Sequence, residues 1–192
     1  MGVYLVSVGA QDWSVAGEDG HGDVASALNT QLERRGLPPY EPPGGDREPP
    51  GWFEEKMSPS MDGFDALCRA RLTPKERDDL LGWSLLVPFA LEEGITLPVG
   101  SGYTDETLVV GAPYVLALAE RLADALGLPL DLVPSTFGNL ELTLWFLEGD
   151  AERAAVTRPG PWADDLAAAF YTAVYLRAAQ YCLRHGRPMT YS

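Results

Sequence analysis

The apolar segment spanning residues 162–185 constrains the fold more than any other part of this sequence. Pro161 precedes it, Asp164 and Asp165 fall in its first turn, and Gly186 follows it, as expected for the two ends of a helix. Its apolar residues, which include many alanines, occupy nearly every side of the predicted helix. Because a helix that is apolar all round must be covered by its neighbours, we expect this helix at the centre of the fold.

Strand patterns alternate with helix patterns along the rest of the chain. Short apolar runs bounded by turn residues predict strands at residues 3–9, 84–90, 95–99, 107–110 and 130–133. Residues 140–147 fit both a strand and a helix, and Ser135 as a cap and Gly149 as a terminator favour the helix. The order of elements predicts a single α/β or α+β domain over residues 1–192, with a small mixed sheet, packed helices and a long central C-terminal helix.

Three further helices are recognised by the residues at their ends. Asp23 is predicted as the N-cap of one helix, and Gly36 as the glycine that ends it. Thr73 and Glu76 have the spacing of a capping box, which predicts a second helix start. A third helix is predicted over residues 113–126.

Residues 37–61 form a proline-rich loop in the sequence. Prolines at this density remove backbone donors and favour extended or turn conformations. A loop of this length inside a compact domain is typically a lid or a binding loop. We expect Tyr40, Trp52 and Phe53 to anchor it to the body of the protein.

The charge of the chain restricts its partners. It has 14 Lys and Arg against 28 Asp and Glu, a net charge of −14. This excess of acids argues against nucleic acid and anionic membranes as partners. Solubility and internal ion pairing explain most of it, and the alternative is an acidic surface that attracts a cationic protein partner. No apolar run reaches the roughly 20 residues of a membrane span, and we expect a cytoplasmic protein in which Cys68 and Cys182 are reduced and buried.

The stretch LPVGSGYTDET, residues 97–107, has the glycines of a phosphate-binding or nucleophile loop but lacks the rest of each motif. No lysine follows Gly100 and Gly102, as a P-loop would need, and Asp105 stands where a dinucleotide fingerprint needs its third glycine. Ser101 is not flanked by glycines two residues away, as in a nucleophile elbow. We therefore interpret the stretch as a connecting turn that lines the rim of a cleft.

Two histidines limit the catalytic chemistry that the chain can support. His185 falls in the last turn of the long helix, where its charged form would cap the helix. Four acids lie near His21 in the sequence, namely Asp12, Glu18, Asp19 and Asp23. Their spacing matches no metal motif, so we predict neither a metal site nor a cofactor.

Arg177 and Arg184 are the sharpest candidates for a binding site. Their spacing of seven places them on one side of the long helix, near Tyr181, and this side is apolar in the preceding turns. An arginine that emerges from an apolar face either pairs with an internal acid, which the acidic composition favours, or holds a carboxylate or phosphate ligand.

Two functions of different classes are compatible with these observations. The first is a non-enzymatic acidic binding protein that engages a cationic protein partner. The alternative is a small-molecule enzyme or ligand-binding domain that takes a small anionic ligand in a cleft covered by the proline-rich loop. The ligand-binding residues would then be Ser101, Tyr103, Arg177, Tyr181 and Arg184.

Overall fold

The computed structural model describes residues 2–17, 20–44, 52–100, 105–135 and 138–192. Within these residues the chain forms six strands and nine helices. Their order is β1 (Tyr4–Ser7), α1 (Ala10–Ser14), α2 (Gly22–Arg34), β2 (Glu54–Lys56), α3 (Asp62–Arg71), α4 (Pro74–Gly82), β3 (Leu85–Val87), β4 (Ile95–Leu97), β5 (Thr107–Gly111), α5 (Ala112–Leu126), α6 (Glu141–Leu147), α7 (Asp150–Thr157), α8 (Pro161–Asp164), α9 (Leu166–His185) and β6 (Met189–Tyr191).

The strands form one mixed sheet in the order β2-β1-β6-β3-β5-β4. β3 and β5 pair in parallel, whereas the other neighbouring strands pair antiparallel. β1, β3 and β5 therefore run in one direction, and β6 runs in the opposite direction between β1 and β3. A mixed sheet with packed helices and a long C-terminal helix confirms the predicted fold class.

Helices cover both faces of the sheet. Leu85 and Val87 pack in one core cluster with α2, whereas Leu86, between them, packs in the other cluster with α5 and α9. This alternation follows from the two-residue period of a strand. We call the two sides the α2 face and the α9 face.

α9 is the central helix, as predicted. Of its 20 residues, 13 are buried, and α3, α5, α6 and α8 all contact it. The helix does not begin at residue 162, because the helical conformation is interrupted at Asp165. The Asp165 side chain caps α9 by accepting a hydrogen bond from the Ala168 amide at 2.9 Å. Pro161–Asp164 forms the separate α8, so the predicted single helix is wrong at its start. Gly186 ends α9 with a φ of 62°, as predicted.

Of the other helix caps predicted from the sequence, the capping box is confirmed and two N-caps are wrong. The capping box of α4 is present: Thr73 Oγ1 accepts from the Glu76 amide at 3.3 Å, and Glu76 Oε2 accepts from the Thr73 amide at 2.8 Å. Asp23 is not an N-cap, because α2 begins at Gly22 with His21 before it. Ser135 does not cap α6, since the N-cap is Leu140, with a φ of 61°.

Three strands differ from the sequence prediction. Residues 130–133 form a turn in which the Leu132 and Val133 amides donate to the Pro129 carbonyl, so the strand predicted there is wrong. β2 and β6 were not predicted. β2 lies inside the proline-rich loop, of which residues 37–44 and 52–61 are described, and Phe53 beside it is 1% exposed, as expected of an anchor.

A buried glutamate joins β2 to α6. Glu55 is 0% exposed, on the same side of the sheet as its cross-strand partner Leu5. Its carboxylate accepts hydrogen bonds from the Leu142 amide at 2.9 Å, the Thr143 amide at 2.8 Å and the Thr143 hydroxyl at 2.7 Å. The Thr143 hydroxyl also accepts from the Lys56 amide at 3.0 Å. Glu55 thus satisfies the first amides of a helix that lies 87 residues away in the sequence.

Both cysteines are buried and free, as predicted. Burial raises the pKa of Cys68 to about 12 and raises the pKa of Cys182 as well. Both thiols are therefore protonated at neutral pH and enclosed by the core. Among the described residues, no helix is long and apolar enough to cross a membrane.

Candidate functional site

The candidate site lies at the edge of the sheet where β1, β3 and β5 end, which we call the carboxyl edge. The helices that follow β1 lead to the α2 face, whereas the helix that follows β5 packs on the α9 face. Chain connections that leave a sheet in opposite directions open a crevice at this edge, and α/β proteins bind ligands in such crevices. β6 begins at the same edge, between β1 and β3.

Arg187 occupies the centre of this edge. The next residue, Pro188, accepts a hydrogen bond from the Val8 amide at 2.8 Å, which continues the antiparallel register of β1 and β6. One further step of this register places Arg187 opposite Gly9. Met189 lies on the α9 face, so strand alternation directs the Arg187 side chain towards the same face.

Arg187 is buried without an acceptor. It is 7% exposed, and within the described parts of the chain it makes no hydrogen bond or ion pair. Its nitrogens are not among the fully enclosed polar atoms that lack a partner, so the guanidinium retains contact with solvent. A guanidinium in this position is accessible from solvent and has no internal acceptor among the described residues, so it is available to a carboxylate or a phosphate.

Aromatic rings form one wall beside Arg187. The Tyr40 ring packs on Trp13 at 5.6 Å and on Phe89 at 5.2 Å between centroids. The Tyr40 hydroxyl donates to the Gly186 carbonyl at 2.7 Å, directly before Arg187. Asn29 fixes the Tyr40 backbone by accepting from its amide at 2.7 Å and donating to its carbonyl at 3.1 Å. These contacts hold the wall in one conformation.

A cavity of about 260 Å³ opens on the other side of the same wall. Trp13 and Asn29 line it together with small and polar residues of α1 and α2. Trp13 therefore belongs both to the aromatic wall and to the lining of this cavity.

Both histidines lie along this edge with an enclosed ring nitrogen that has no partner, Nδ1 of His21 and Nε2 of His185. Burial lowers the pKa of His185, and the positive charges of Arg184 and Arg187 lower it further. Burial also lowers the pKa of His21, against the opposing effect of Asp12. Both rings are therefore neutral at physiological pH, so the charged His185 cap expected from the sequence is wrong.

The predicted site residues of α9 lie in two environments. Tyr181 is 4% exposed and packs between the rings of Phe53 at 5.6 Å and His185 at 4.4 Å. Arg184 is exposed in the last turn of the helix, close enough to act electrostatically on His185. Tyr181 and Arg184 thus adjoin the carboxyl edge, and ligand binding by them stays a prediction. Ser101 and Tyr103 lie outside the described residues.

Arg177 is held by the turn that follows α5. Its guanidinium donates to three carbonyl oxygens and to the Gln180 side chain, at distances of 3.0–3.1 Å. The three carbonyls belong to Leu130, Val133 and Pro134. Its acceptors are therefore backbone oxygens rather than the internal acid that the charge balance favoured. Burial, and next the charge of Arg184, lower the pKa of Arg177.

No group of three or more histidines, cysteines and acids in the described part of the chain is arranged to hold a metal ion. Glu18 and Asp19, two of the acids near His21 in the sequence, lie outside that part. The His21 ring instead stacks on Trp13, with centroids 6.5 Å apart.

Sequence reasoning missed Arg187 because it missed β6. A signal was present: the glycine that ends α9, Arg187 and Pro188 are followed directly by the alternating residues Met189, Thr190 and Tyr191. Only the pairing of β6 with β1 and β3 shows that this arginine lies inside the edge of a sheet rather than in a tail. Comparison with protein-family models, with curated proteins and with solved structures found no match for this chain.

Proposed function

We propose that this protein binds a small anionic ligand at the carboxyl edge and that Arg187 holds the anionic group. The observation that carries the proposal is a 7% exposed arginine that has no acceptor among the described residues. A structural arginine in the same chain, Arg177, makes four hydrogen bonds. The contrast supports an acceptor for Arg187 that the described residues do not supply.

The surroundings of Arg187 support a small ligand. Tyr40 and Trp52, which both belong to the proline-rich loop, reach this edge, as expected for a loop that covers a cleft.

Titration of wild type and of Arg187→Gln with inorganic phosphate and with short carboxylates, followed by isothermal calorimetry, tests the proposal. Arg187→Gln should weaken the binding of these anions at least about tenfold, because a charge-assisted hydrogen bond contributes roughly 1.5–3 kcal/mol. Arg121→Gln is the matched control, since Arg121 is exposed and pairs with Glu76 at 2.6 Å. Equal affinity in wild type and Arg187→Gln would contradict the proposal.

The free energy of unfolding of Arg187→Gln and Arg121→Gln distinguishes a binding role of Arg187 from a structural one. Arg187 has no internal acceptor, so Arg187→Gln leaves no described group unpaired and should not lower the free energy of unfolding. An arginine with a structural role would instead cost stability when replaced. Chemical denaturation of the same samples measures this difference.

A cationic protein partner is the second candidate function, and a specific surface favours it. α6 and α7 expose Leu144, Leu147 and Val156, the last at 84%. Glu148 and Glu152 are exposed on the same helix pair. Apolar side chains bordered by acids suit a basic amphipathic partner.

A lysine-rich amphipathic peptide serves as the probe for this second candidate. We expect Leu147→Lys to weaken peptide binding several-fold in fluorescence anisotropy, because it removes apolar contact and adds a repelling charge. Leu37→Lys is the control, since Leu37 is an exposed leucine outside these helices. Peptide binding that does not respond to Leu147→Lys would remove α6 and α7 as the docking surface.

A further inference from the structure

We infer that the ligand held by Arg187 is zwitterionic and that Asp12 receives its positively charged group. This inference rests on the proposed function, because it needs the anionic group at Arg187. It adds the second charge of the ligand and therefore its chemical class, an amino carboxylate or an amino phosphate.

Gly9 brings the two charged side chains to one place. Asp12 Oδ2 lies 3.5 Å from the position that a Cβ atom on Gly9 would occupy. Arg187 faces the same glycine across the antiparallel pair of β1 and β6, where opposing Cβ positions lie about 5 Å apart. Asp12 and Arg187 thus flank the same glycine, where no side chain of residue 9 stands between them.

The two groups do not neutralise each other. Within the described residues neither Asp12 nor Arg187 forms an ion pair, although both border Gly9. The backbone holds Asp12 in place, because its carbonyl accepts from the His21 amide at 2.8 Å. Opposite charges that flank one glycine without pairing with each other can both be satisfied by a ligand that carries both charges.

An aromatic ring completes the cationic side of the gap. A Trp52 ring carbon lies 3.8 Å from the same Cβ position on Gly9. Ammonium groups bind over tryptophan faces, and the attraction increases when the site excludes water. Arg187 acts electrostatically on Tyr40 and His185, whereas Asp12 is the acid beside Gly9.

The test uses matched probes that differ only in the ammonium group. Acetate, butanoate and hexanoate are compared with glycine, 4-aminobutanoate and 6-aminohexanoate by calorimetry on wild type, Arg187→Gln and Asp12→Asn. We expect one amino carboxylate to bind wild type roughly tenfold more tightly than the carboxylate of the same length, as one charge-assisted hydrogen bond allows. Asp12→Asn should remove this preference and leave the affinity for plain carboxylates unchanged.

Asp23→Asn is the control, because Asp23 is an exposed acid in the first turn of α2. It should keep the preference for the amino carboxylate. Equal binding of both probe series to wild type would overturn the zwitterion inference and leave the proposed anion site standing. If Arg187→Gln leaves the affinity for both probe series unchanged, the proposed function is overturned as well.

Discussion

Replacing Glu55 by alanine is expected to lower the free energy of unfolding by about 3 kcal/mol, the largest loss that we expect from a single polar side chain of this protein. The carboxylate accepts three hydrogen bonds in a fully buried position. Without it, the amides of Leu142 and Thr143 lose their acceptor at the start of α6, where no carbonyl of the helix can replace it. Each buried amide without a partner costs roughly 1–3 kcal/mol.

Glu54→Ala is the matched control. Glu54 precedes Glu55 in β2, is half-buried, and contacts the α6 segment through its backbone, since its carbonyl accepts from the Leu140 amide at 2.7 Å. Alanine keeps that bond, so the control should lose less than about 1 kcal/mol in urea denaturation. Equal losses at residues 54 and 55 would show that Glu55 does not hold α6.

The pH dependence of stability gives a second measurement on Glu55. Burial raises its pKa above the ordinary value of 4.5, and the hydrogen bonds from Thr143 and Leu142 offset part of this increase. The folded state then binds the proton more tightly than the unfolded state, so this group destabilises the fold as pH rises from 4.5 through the raised pKa. The free-energy difference between wild type and Glu55→Gln, measured from pH 4 to 8, should change with pH in that sense.

Replacing Arg177 by methionine is expected to cost about 2 kcal/mol of unfolding free energy. Methionine keeps much of the apolar stem and removes the guanidinium, which leaves the carbonyls of Leu130, Val133 and Pro134 without their donor. The loss is smaller than for Glu55 because Arg177 is only half-buried, so water can reach part of the turn. Arg34→Met, at an exposed position in the last turn of α2, should leave stability within about 0.5 kcal/mol.

Hydrogen exchange shows whether the Arg177 effect is local. The Leu132 and Val133 amides donate to the Pro129 carbonyl inside the turn that Arg177 holds. In Arg177→Met these two amides should exchange faster than in wild type, whereas the amides of β5 should change only with global stability. Unchanged protection in the turn would mean that its structure does not depend on Arg177.

The sequence predicted the elements whose signals are local. The apolar pattern of α9, the capping box of Thr73 and Glu76, and the glycine at 186 depend on residues within a few positions of one another. The fold class followed from the order of these elements. Such signals do not require knowledge of which segments pack together.

The elements that were missed depend on distant partners. β2 has the sequence EEK, which shows no apolar pattern. Its central residue, Glu55, can be buried only because α6 provides hydrogen-bond donors to its carboxylate. β6 has three residues, and its strand conformation comes from pairing with β1 and β3 on both sides. The burial of Arg187 could not be predicted for the same reason, since it follows from the position of β6. The binding role predicted for Arg177 was based on its position on the apolar side of the long helix. That pattern does not show that the turn after α5 supplies acceptors for its guanidinium.

The position of β6 also determines when the protein can fold during its synthesis. Leu5 pairs with Tyr191, so β1 cannot pair with β6 until the ribosome has added almost 190 further residues. Until then the β1–β2 pair and the β3–β5–β4 group are separate sheets, and each exposes the edge that β6 will join. Contacts of such large sequence separation form slowly, and exposed edges of partly folded chains are targets of chaperones and sites of aggregation. The nascent chain therefore depends on protection of these two edges until residues 189–191 emerge and close the sheet.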